Sequence, residues 1–356
     1  MTVHETRLPA GPAGGPDRPP EVIESGGGAR LHLTFATTDY EHVRDLVNGA
    51  VRADGIAITA FVLPVEEVFF RFIKNREWDV SEMSFGKFIG FASQGNSPFV
   101  GIPVFPSRVF RHSAFYVRAD REISSPKDLA GKTVGIPEWA QTAGIFARGY
   151  LAETCGVDLA SIRWVQAGVN QPGRDEKVEF KLPQGVRYER RRDSSISAML
   201  ESGEIDAALT ARVPDAFTNG GGKIARLFPE YRAEEASYFR ETGIFPIMHV
   251  IAMRRALFER YPWVAMNLFK AFEEAKERSL ERINDLTASR LPVPWSAAIV
   301  EECGKDFGAD PFPYGVERNR KTLDAFCRFA HDQGVTAQRL TPDDLFPKEV
   351  RASVRV

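Results

Sequence analysis

Ile102-Pro-Val-Phe-Pro-Ser-Arg-Val-Phe-Arg-His-Ser113 is the stretch on which the fold turns. It begins as an apolar run with the character of a buried strand and ends in two arginines and a histidine. Upstream, strand patterns at 31–36, 56–63, 79–83 and 99–105 alternate with helical patterns that open near Asp39 and run over 66–76 and 85–93. Downstream the alternation restarts: strands at 114–118, 132–136, 162–166 and 205–209, helices at 142–153 and 194–201. Ser125-Pro-Lys-Asp is a capped turn, and 170–193 is polar, Gly- and Pro-bearing, and predicts a loop or hairpin. A third apolar run, 245–253, precedes a helix over 262–286 whose apolar face carries Val264, Leu268, Phe272 and Ala275.

Strands alternating with helices imply an α/β fold. Two such halves followed by a return segment predict two lobes, each with a mixed sheet, joined by crossover strands near 108–116 and 243–250. The expected division is a disordered leader at 1–29, a first lobe from 30–110 and 244–356, and a second lobe at 111–243. The C-terminal helices are expected to pack back on the first lobe. In open α/β sheets ligands collect beyond the carboxyl ends of the strands, and a cleft between lobes is a second reason to look there.

The chain has 356 residues, enough for two lobes with full cores. An apolar fraction of 43% and a charged fraction of 26% are those of an ordinary globular protein. A net charge of −2 gives no electrostatic argument for a nucleic acid or a membrane surface as partner. No apolar run approaches the length needed to span a bilayer. The Pro- and Gly-rich N-terminus lacks the apolar core of a secretory signal. Three widely spaced cysteines, Cys155, Cys303 and Cys327, form no disulfide framework. A reducing, cytoplasmic setting is the expectation, and the aromatic content leaves a homo-oligomer open. No glycine-rich phosphate loop, nucleophile elbow or zinc-binding spacing occurs, which argues against the nucleotide, serine-hydrolase and common zinc classes.

Polar residues converge at the predicted strand ends. Thr37, Thr38, Asp39, Tyr40 and His42 follow the first strand, and Glu82 and Ser84 follow the third. Arg108, Arg111 and His112 lie in the first crossover and His249 in the second. From the second lobe, Trp139, Gln141 and Thr142 precede a helix whose free N–H groups would attract an anion, and Arg212 and Asp215 follow its last strand. Arginines fork onto carboxylates, and histidine is suited to proton transfer near neutral pH. Competing structural roles are open for several of these. Asp39 serves equally as a helix cap, Trp139 as packing, His42 as a solvated helix residue and His249 as a core histidine. A metal held by His112, His249 and an acid lacks any short ligand spacing, so no cofactor is expected, with a divalent ion the weaker reading.

Longer stretches carry a resemblance. Leu63-Pro-Val-Glu-Glu-Val-Phe-Phe-Arg71, Trp78-Asp-Val-Ser-Glu-Met-Ser84, the 102–112 segment, Gly203-Glu-Ile-Asp-Ala207, Thr242-Gly-Ile-Phe-Pro-Ile-Met-His249 and Pro313-Tyr-Gly-Val-Glu-Arg-Asn-Arg320 resemble the 4,5-dihydroxyphthalate decarboxylase family. The likeness runs over residues 30–347. Asp128-Leu-Ala-Gly-Lys-Thr-Val-Gly-Ile-Pro137 and Gly203-Glu-Ile-Asp206 recur more widely across type 2 periplasmic-binding-protein folds, which include transporter receptors. The resemblance implies that two-lobed fold turned to catalysis, and loss of CO2 from a hydroxylated aromatic acid, a small aromatic carboxylate. Direct loss would leave an aryl carbanion without an electron sink, so such a site needs a ring-protonating acid, a base near the catechol, and cations for the retained carboxylate.

On chemical grounds Arg108 and Arg111 are the expected carboxylate ligands, flanked by Ser84, Trp139, Thr142 and Arg212. His112 or His249 is the expected proton donor, and Glu82 or Asp39 the base or histidine orienter. A non-catalytic solute receptor of the same fold is the rival expectation, and it would need an export signal or lipid-anchor cysteine that the N-terminus does not show.

Overall fold

In the computed structural model, residues 20–25, 28–285, 287, 288 and 290–351 are described. The first lobe opens with β1 (Glu21–Ser25) and β2 (Gly28–Thr37), a hairpin, followed by β3 (Ile56–Val62), β4 (Val80–Ser84) and β5 (Phe99–Ile102). The second lobe holds β6 (Phe115–Arg118), β7 (Thr133–Ile136), β8 (Arg163–Gly168), β9 (Arg187–Ser195), β10 (Ala207–Leu209) and β11 (Ile224–Arg226). The chain then returns to the first sheet as β12 (His249–Arg254).

The sheet orders are β1-β2-β4-β12-β5, with β3 beside β2, and β11-β6-β10-β7-β8-β9. Both are mixed. β2 runs parallel to β3 and β4, whereas β12 is antiparallel to β4 and β5. In the second sheet β10, β7, β8 and β9 are parallel, and β6 is antiparallel to both of its neighbours, β10 and β11. The expected α/β class, with two mixed sheets, is the observed one.

Three expectations need correction. Glu21–Ser25 lies inside the stretch read as a disordered leader, yet it pairs with Gly28–His32 in an antiparallel ladder; residues 1–19 lie outside the described residues. The polar 170–193 segment contains most of β9, Arg-Tyr-Glu-Arg-Arg-Arg-Asp-Ser-Ser195, which has no apolar alternation to betray it. As an edge strand with one neighbour it is solvated, so charge along it is tolerated and blocks further pairing. The crossovers are mostly not regular strands. β5 stops at Ile102 because Pro103 and Pro106 cannot donate to a ladder, and Pro246 does the same for the return segment.

The crossovers nevertheless run side by side. Arg108 and Ile247 form an isolated antiparallel bridge, the Met248 N–H donates to the Ser107 carbonyl at 2.8 Å, and Val109 N–H to the Pro246 carbonyl at 3.2 Å. The long helix Trp263–Asn284 packs on the first lobe, with Phe272 edge-on to Phe35 at 5.5 Å. The helix Arg320–Asp332 does not confine itself to that lobe. Its Phe326 stacks on Phe85 of the first lobe at 4.7 Å and meets Phe146 of the second at 4.8 Å. Among the described residues no helix is long and apolar enough to cross a membrane.

Candidate active site

The register of β4 and β12 sets the centre of the site. His249 pairs with Ser84, and Glu82 lies two residues along β4 on the same face. β4 is buried along its whole length, so Glu82 is a carboxylate with no water to solvate it. Its oxygens are occupied by protein donors instead. Oε1 accepts from the Tyr40 hydroxyl at 2.6 Å and lies 2.6 Å from His249 Nδ1. Oε2 accepts from the Thr38 N–H at 2.8 Å and the Thr37 hydroxyl at 3.3 Å. Burial alone would push the Glu82 carboxyl up, but the hydrogen bond and charge of His249, with the Tyr40 and Thr38 donors, hold it below the usual carboxylate range. Burial and the Glu82 charge drive the Tyr40 hydroxyl well above its ordinary value, so it stays a donor.

This arrangement fixes His249. An ionised carboxylate on Nδ1 sets the ring's tautomer and orientation and can balance a positive charge on it, leaving Nε2 to exchange a proton. The ring also stands edge-on to Phe69 at 4.8 Å. The side chain is 18% exposed, and it opens onto a cleft of about 400 Å³ between the lobes. The cleft lies past the ends of β4, β7, β8 and β10, where the topology directs ligands.

Five cationic side chains, Lys87, Arg111, Arg174, Lys177 and Arg212, line this cleft against two carboxylates, Glu66 and Glu138. Lys87 and Glu138 form a buried ion pair across the lobes, and Glu138 also takes Arg174 at 2.7 Å. Burial opposes charge on Glu138, but Lys87, Arg174 and Lys177 outweigh it and lower its pKa. Glu66 lies 3.4 Å from Arg174 and 3.3 Å from Arg212 at the more exposed mouth. Arg111 has no carboxylate within 4.0 Å among the described residues; its Nε–H reaches the Met248 sulfur at 3.2 Å, and burial lowers its pKa to about 10. The Ser84 and Thr142 hydroxyls meet at 3.0 Å, and Thr142 Oγ1 accepts the Gly86 N–H at 2.8 Å.

The expected residues therefore separate. Glu82, His249, Arg111, Ser84, Thr142 and Arg212 come together in or directly beneath the cleft. Arg108 does not: it is buried, its guanidinium donating to the Phe245 carbonyl at 3.2 Å, the Pro313 carbonyl at 2.7 Å and Asn319 Oδ1, with Phe105 and Phe245 against its faces. It ties backbone together, and it is buried outside the cleft lining, out of reach of a substrate carboxylate there. Trp139 is core as well, fully buried, with its indole N–H on the Gln333 carbonyl at 2.7 Å and Arg148 stacked over it at 3.9 Å.

His112 leaves the cleft too. It is buried among Tyr150, Phe228 and Tyr238, with Nδ1 3.8 Å from Glu235 and burial pushing its pKa down to about 4. Asp39 is exposed and does not line the cleft, while its neighbour Tyr40 contacts Glu82. His42 is half-buried rather than solvated, bonded to the Pro106 carbonyl at 3.0 Å. His112 and His249 thus occupy separate environments. Among the described residues no group of three His, Cys, Asp or Glu side chains is gathered to hold a metal.

Reading the sequence missed Lys87, Glu138, Arg174, Lys177 and Glu66. Lys87 had a signal: it is the single charge in the apolar helix Phe85–Ala92, where a lone lysine needs a partner. Arg174 and Lys177 lie in an irregular segment with no pattern to place them.

Comparison with known proteins agrees with this architecture. No family model matches the chain. It is 36% identical over 319 residues to a 4,5-dihydroxyphthalate decarboxylase of Comamonas testosteroni, covering 89% of this chain and 97% of that protein. It is 37% identical over 212 residues to the Pseudomonas putida protein of the same name, covering 59% of this chain and 82% of that one. Among solved structures it is similar in fold to the periplasmic aliphatic sulphonate binding protein SsuA of Escherichia coli, with TM-score 0.50 at 12% identity over 90% of this chain and 98% of that one. That likeness shows a periplasmic-binding-protein-like fold, and the identity shared along nearly the whole Comamonas protein shows more: the chain belongs to the 4,5-dihydroxyphthalate decarboxylase family.

Proposed function

We propose that the protein is a carboxy-lyase that removes CO2 from a hydroxylated phthalate-type acid, 4,5-dihydroxyphthalate giving protocatechuate, with His249 as the ring-protonating acid. The observation that carries this reading is His249 held by the buried Glu82 carboxylate at 2.6 Å on the floor of a cation-lined cleft.

The chemistry balances as follows. The hydroxyl para to the departing carboxylate gives its proton to solvent, and the excess of cations in the cleft favours the resulting phenolate. Its electron pair moves through the ring as the ipso carbon takes a proton from His249 Nε2, giving a cyclohexadienone. The C–CO2 bond then breaks, its electrons restore the aromatic ring, CO2 departs, and His249 recovers a proton from solvent. Glu82 carries the counter-charge while the imidazole is protonated and never needs to reach the substrate. Arg111 is the cation assigned to the retained carboxylate: no carboxylate lies within 4.0 Å of it among the described residues, and its guanidinium offers a two-point grip that Lys177, likewise unbridged, does not. Lys87, Arg174 and Arg212 are each already bridged by Glu138 or Glu66. Full charge pairing of the departing carboxylate would stabilise the ground state and slow the reaction.

The ring carries the developing electrons itself, so this route requires no cofactor or metal. The free cysteines Cys155, Cys303 and Cys327 favour a reducing, cytoplasmic setting. The test is to mix the protein with 4,5-dihydroxyphthalate, with and without chelator, and to follow product and CO2. His249→Gln should bind the substrate without turning it over. Retained turnover removes His249 from the reaction, substrate binding without CO2 from the wild type favours a receptor, and a rate lost to chelator brings in a metal.

A further inference from the structure

We propose that Tyr40 is a positioning residue for the ring acid: by donating to the same Glu82 oxygen that faces His249, it loosens the carboxylate's hold on the imidazolium and keeps that proton available to the ring. The inference deepens the decarboxylase reading and rests on it for the role of His249.

The two oxygens of Glu82 have different partners. Oε2 takes the Thr38 N–H at 2.8 Å and the Thr37 hydroxyl at 3.3 Å, both from the end of β2. Oε1 takes the Tyr40 hydroxyl at 2.6 Å, and His249 Nδ1 lies 2.6 Å from the same atom. The Tyr40 oxygen is 3.2 Å from Nδ1, so the three groups form one cluster around Oε1. A separation of 2.6 Å is that of a charge-assisted O–H···O⁻ bond, the strong kind. Such a donor draws negative charge from the oxygen it holds, and that oxygen is the counter-charge of His249.

Burial and the Glu82 charge keep the hydroxyl protonated, so Tyr40 acts only as a donor to the carboxylate. With a carboxylate on Nδ1, that nitrogen keeps its proton whether the ring is neutral or charged, so its contact with Tyr40 is common to both forms. What separates the two forms is the charge left on Glu82. The other titratable group against Tyr40 is His42, its ring 5.3 Å away, and burial pushes its pKa down to about 4. The charges that face His249 from the cleft, its five cations with Glu66 and Glu138, are the same in any variant at position 40. Glu82 and Tyr40 thus pull in opposite directions. Glu82 makes the imidazolium available at the working pH, and Tyr40 keeps it from becoming too weak an acid, which is the balance a general acid needs.

The test is Tyr40→Phe, which keeps the aromatic ring and removes the donor. The His249 imidazole is titrated by 15N NMR in the ligand-free protein, with His249→Gln to assign the resonance. Single-turnover CO2 release from 4,5-dihydroxyphthalate is followed by rapid quench across pH. The variant should bind the proton roughly tenfold more tightly, the scale of one hydrogen bond to a charged group, and so move the midpoint up by about one pH unit. A general acid loses rate with about half of its loss in strength, so the plateau below the midpoint should fall about threefold. Above the midpoint more of the variant carries the proton, and it should outrun the wild type by about threefold. A merely structural lesion slows the reaction at every pH and gives no such crossing. A midpoint unmoved or lowered, or a variant slower at every pH, overturns the proposal. If Tyr40→Phe fails to fold, a fluorinated tyrosine at position 40, a stronger donor of the same shape, decides the matter: the midpoint should move down, and any other result overturns the proposal. Failure of the wild type to release CO2 overturns the decarboxylase reading alone, since the titration is made without substrate.

Discussion

Replacing Glu82 by Gln removes one charge from the centre of the site while keeping the shape. In the wild type His249 Nδ1 lies 2.6 Å from Glu82 Oε1, with the charge centres of imidazolium and carboxylate about 4 Å apart. At an effective dielectric of about 20, two unit charges at that separation attract by about 4 kcal/mol. That attraction is lost when the ring is protonated beside an amide, and at about 1.4 kcal/mol per factor of ten it lowers kcat ~1,000-fold. The Thr38 N–H and the Tyr40 hydroxyl both donate to the carboxylate, and an amide supplies only one accepting oxygen, so a loss of stability accompanies the change. Acid tells the two effects apart. A carboxyl whose folded pKa is depressed stabilises the fold above its unfolded value, and this is lost as pH falls through the folded pKa, so the variant should lack that part of the acid transition. The assay is rapid-quench CO2 release from 4,5-dihydroxyphthalate, with thermal melting and circular dichroism as folding controls. A folded variant whose kcat stays within about fivefold of wild type would refute the role of the buried charge.

The two arginines should behave as opposites. Arg108→Met should lower stability by about 3 kcal/mol, because the buried Phe245 carbonyl and Asn319 Oδ1 lose the guanidinium donor and the Pro313 carbonyl loses one of two, while KM in the folded fraction is unchanged. Arg111→Met should melt like wild type and lose ~10- to 100-fold in kcat/KM, the worth of one charge-assisted contact. His112→Phe should keep activity. Its wild-type imidazole stays neutral until about pH 4 when folded, whereas the unfolded chain takes the proton near 6.5. Wild-type stability therefore declines as pH falls across that window, by at most about 3 kcal/mol, and urea midpoints at pH 7 and 5 should differ less in the variant. A folded but inactive His112→Phe would return that histidine to the mechanism. Gly86→Ala would place a Cβ 2.6 Å from the Ala140 carbonyl and 3.1 Å from the Thr142 nitrogen, so it should cost about 1–3 kcal/mol by urea titration and raise KM.

The α/β class, the restart of the pattern and the return of the chain were legible because strand and helix periodicities are local. His249 and Glu82 were legible for a related reason: both stand at strand ends that the topology brings to one place. What sequence could not separate was Arg108 from Arg111, three residues apart in one irregular segment. Which guanidinium turns inward depends on the carbonyls of Phe245 and Pro313, more than a hundred residues away. Trp139 was ambiguous for the same reason, since its partner Gln333 lies 194 residues on. Arg174 meets Glu138 only through tertiary packing, and β9 hid behind its charges.

The Arg108 knot bears on which part of the molecule stays together, since it ties the first lobe to itself. Its guanidinium binds the carbonyl of Phe245 in one crossover and those of the 313–319 segment, while Asn319 Nδ2 donates to Pro313 and Gly315 and the Gly315 N–H to the Pro103 carbonyl in the other. Phe326 is wedged between Phe85 and Phe146. Swinging the lobes apart would break the buried Lys87–Glu138 pair and part Phe146 from Phe326, while the Arg108 contacts, all within the first lobe, would stay made. A receptor that trades ligand with a transporter depends on such swinging. Here the helix Arg320–Asp332 touches both lobes through Phe326, so parting them costs ring contacts that the chain's own C-terminal third supplies.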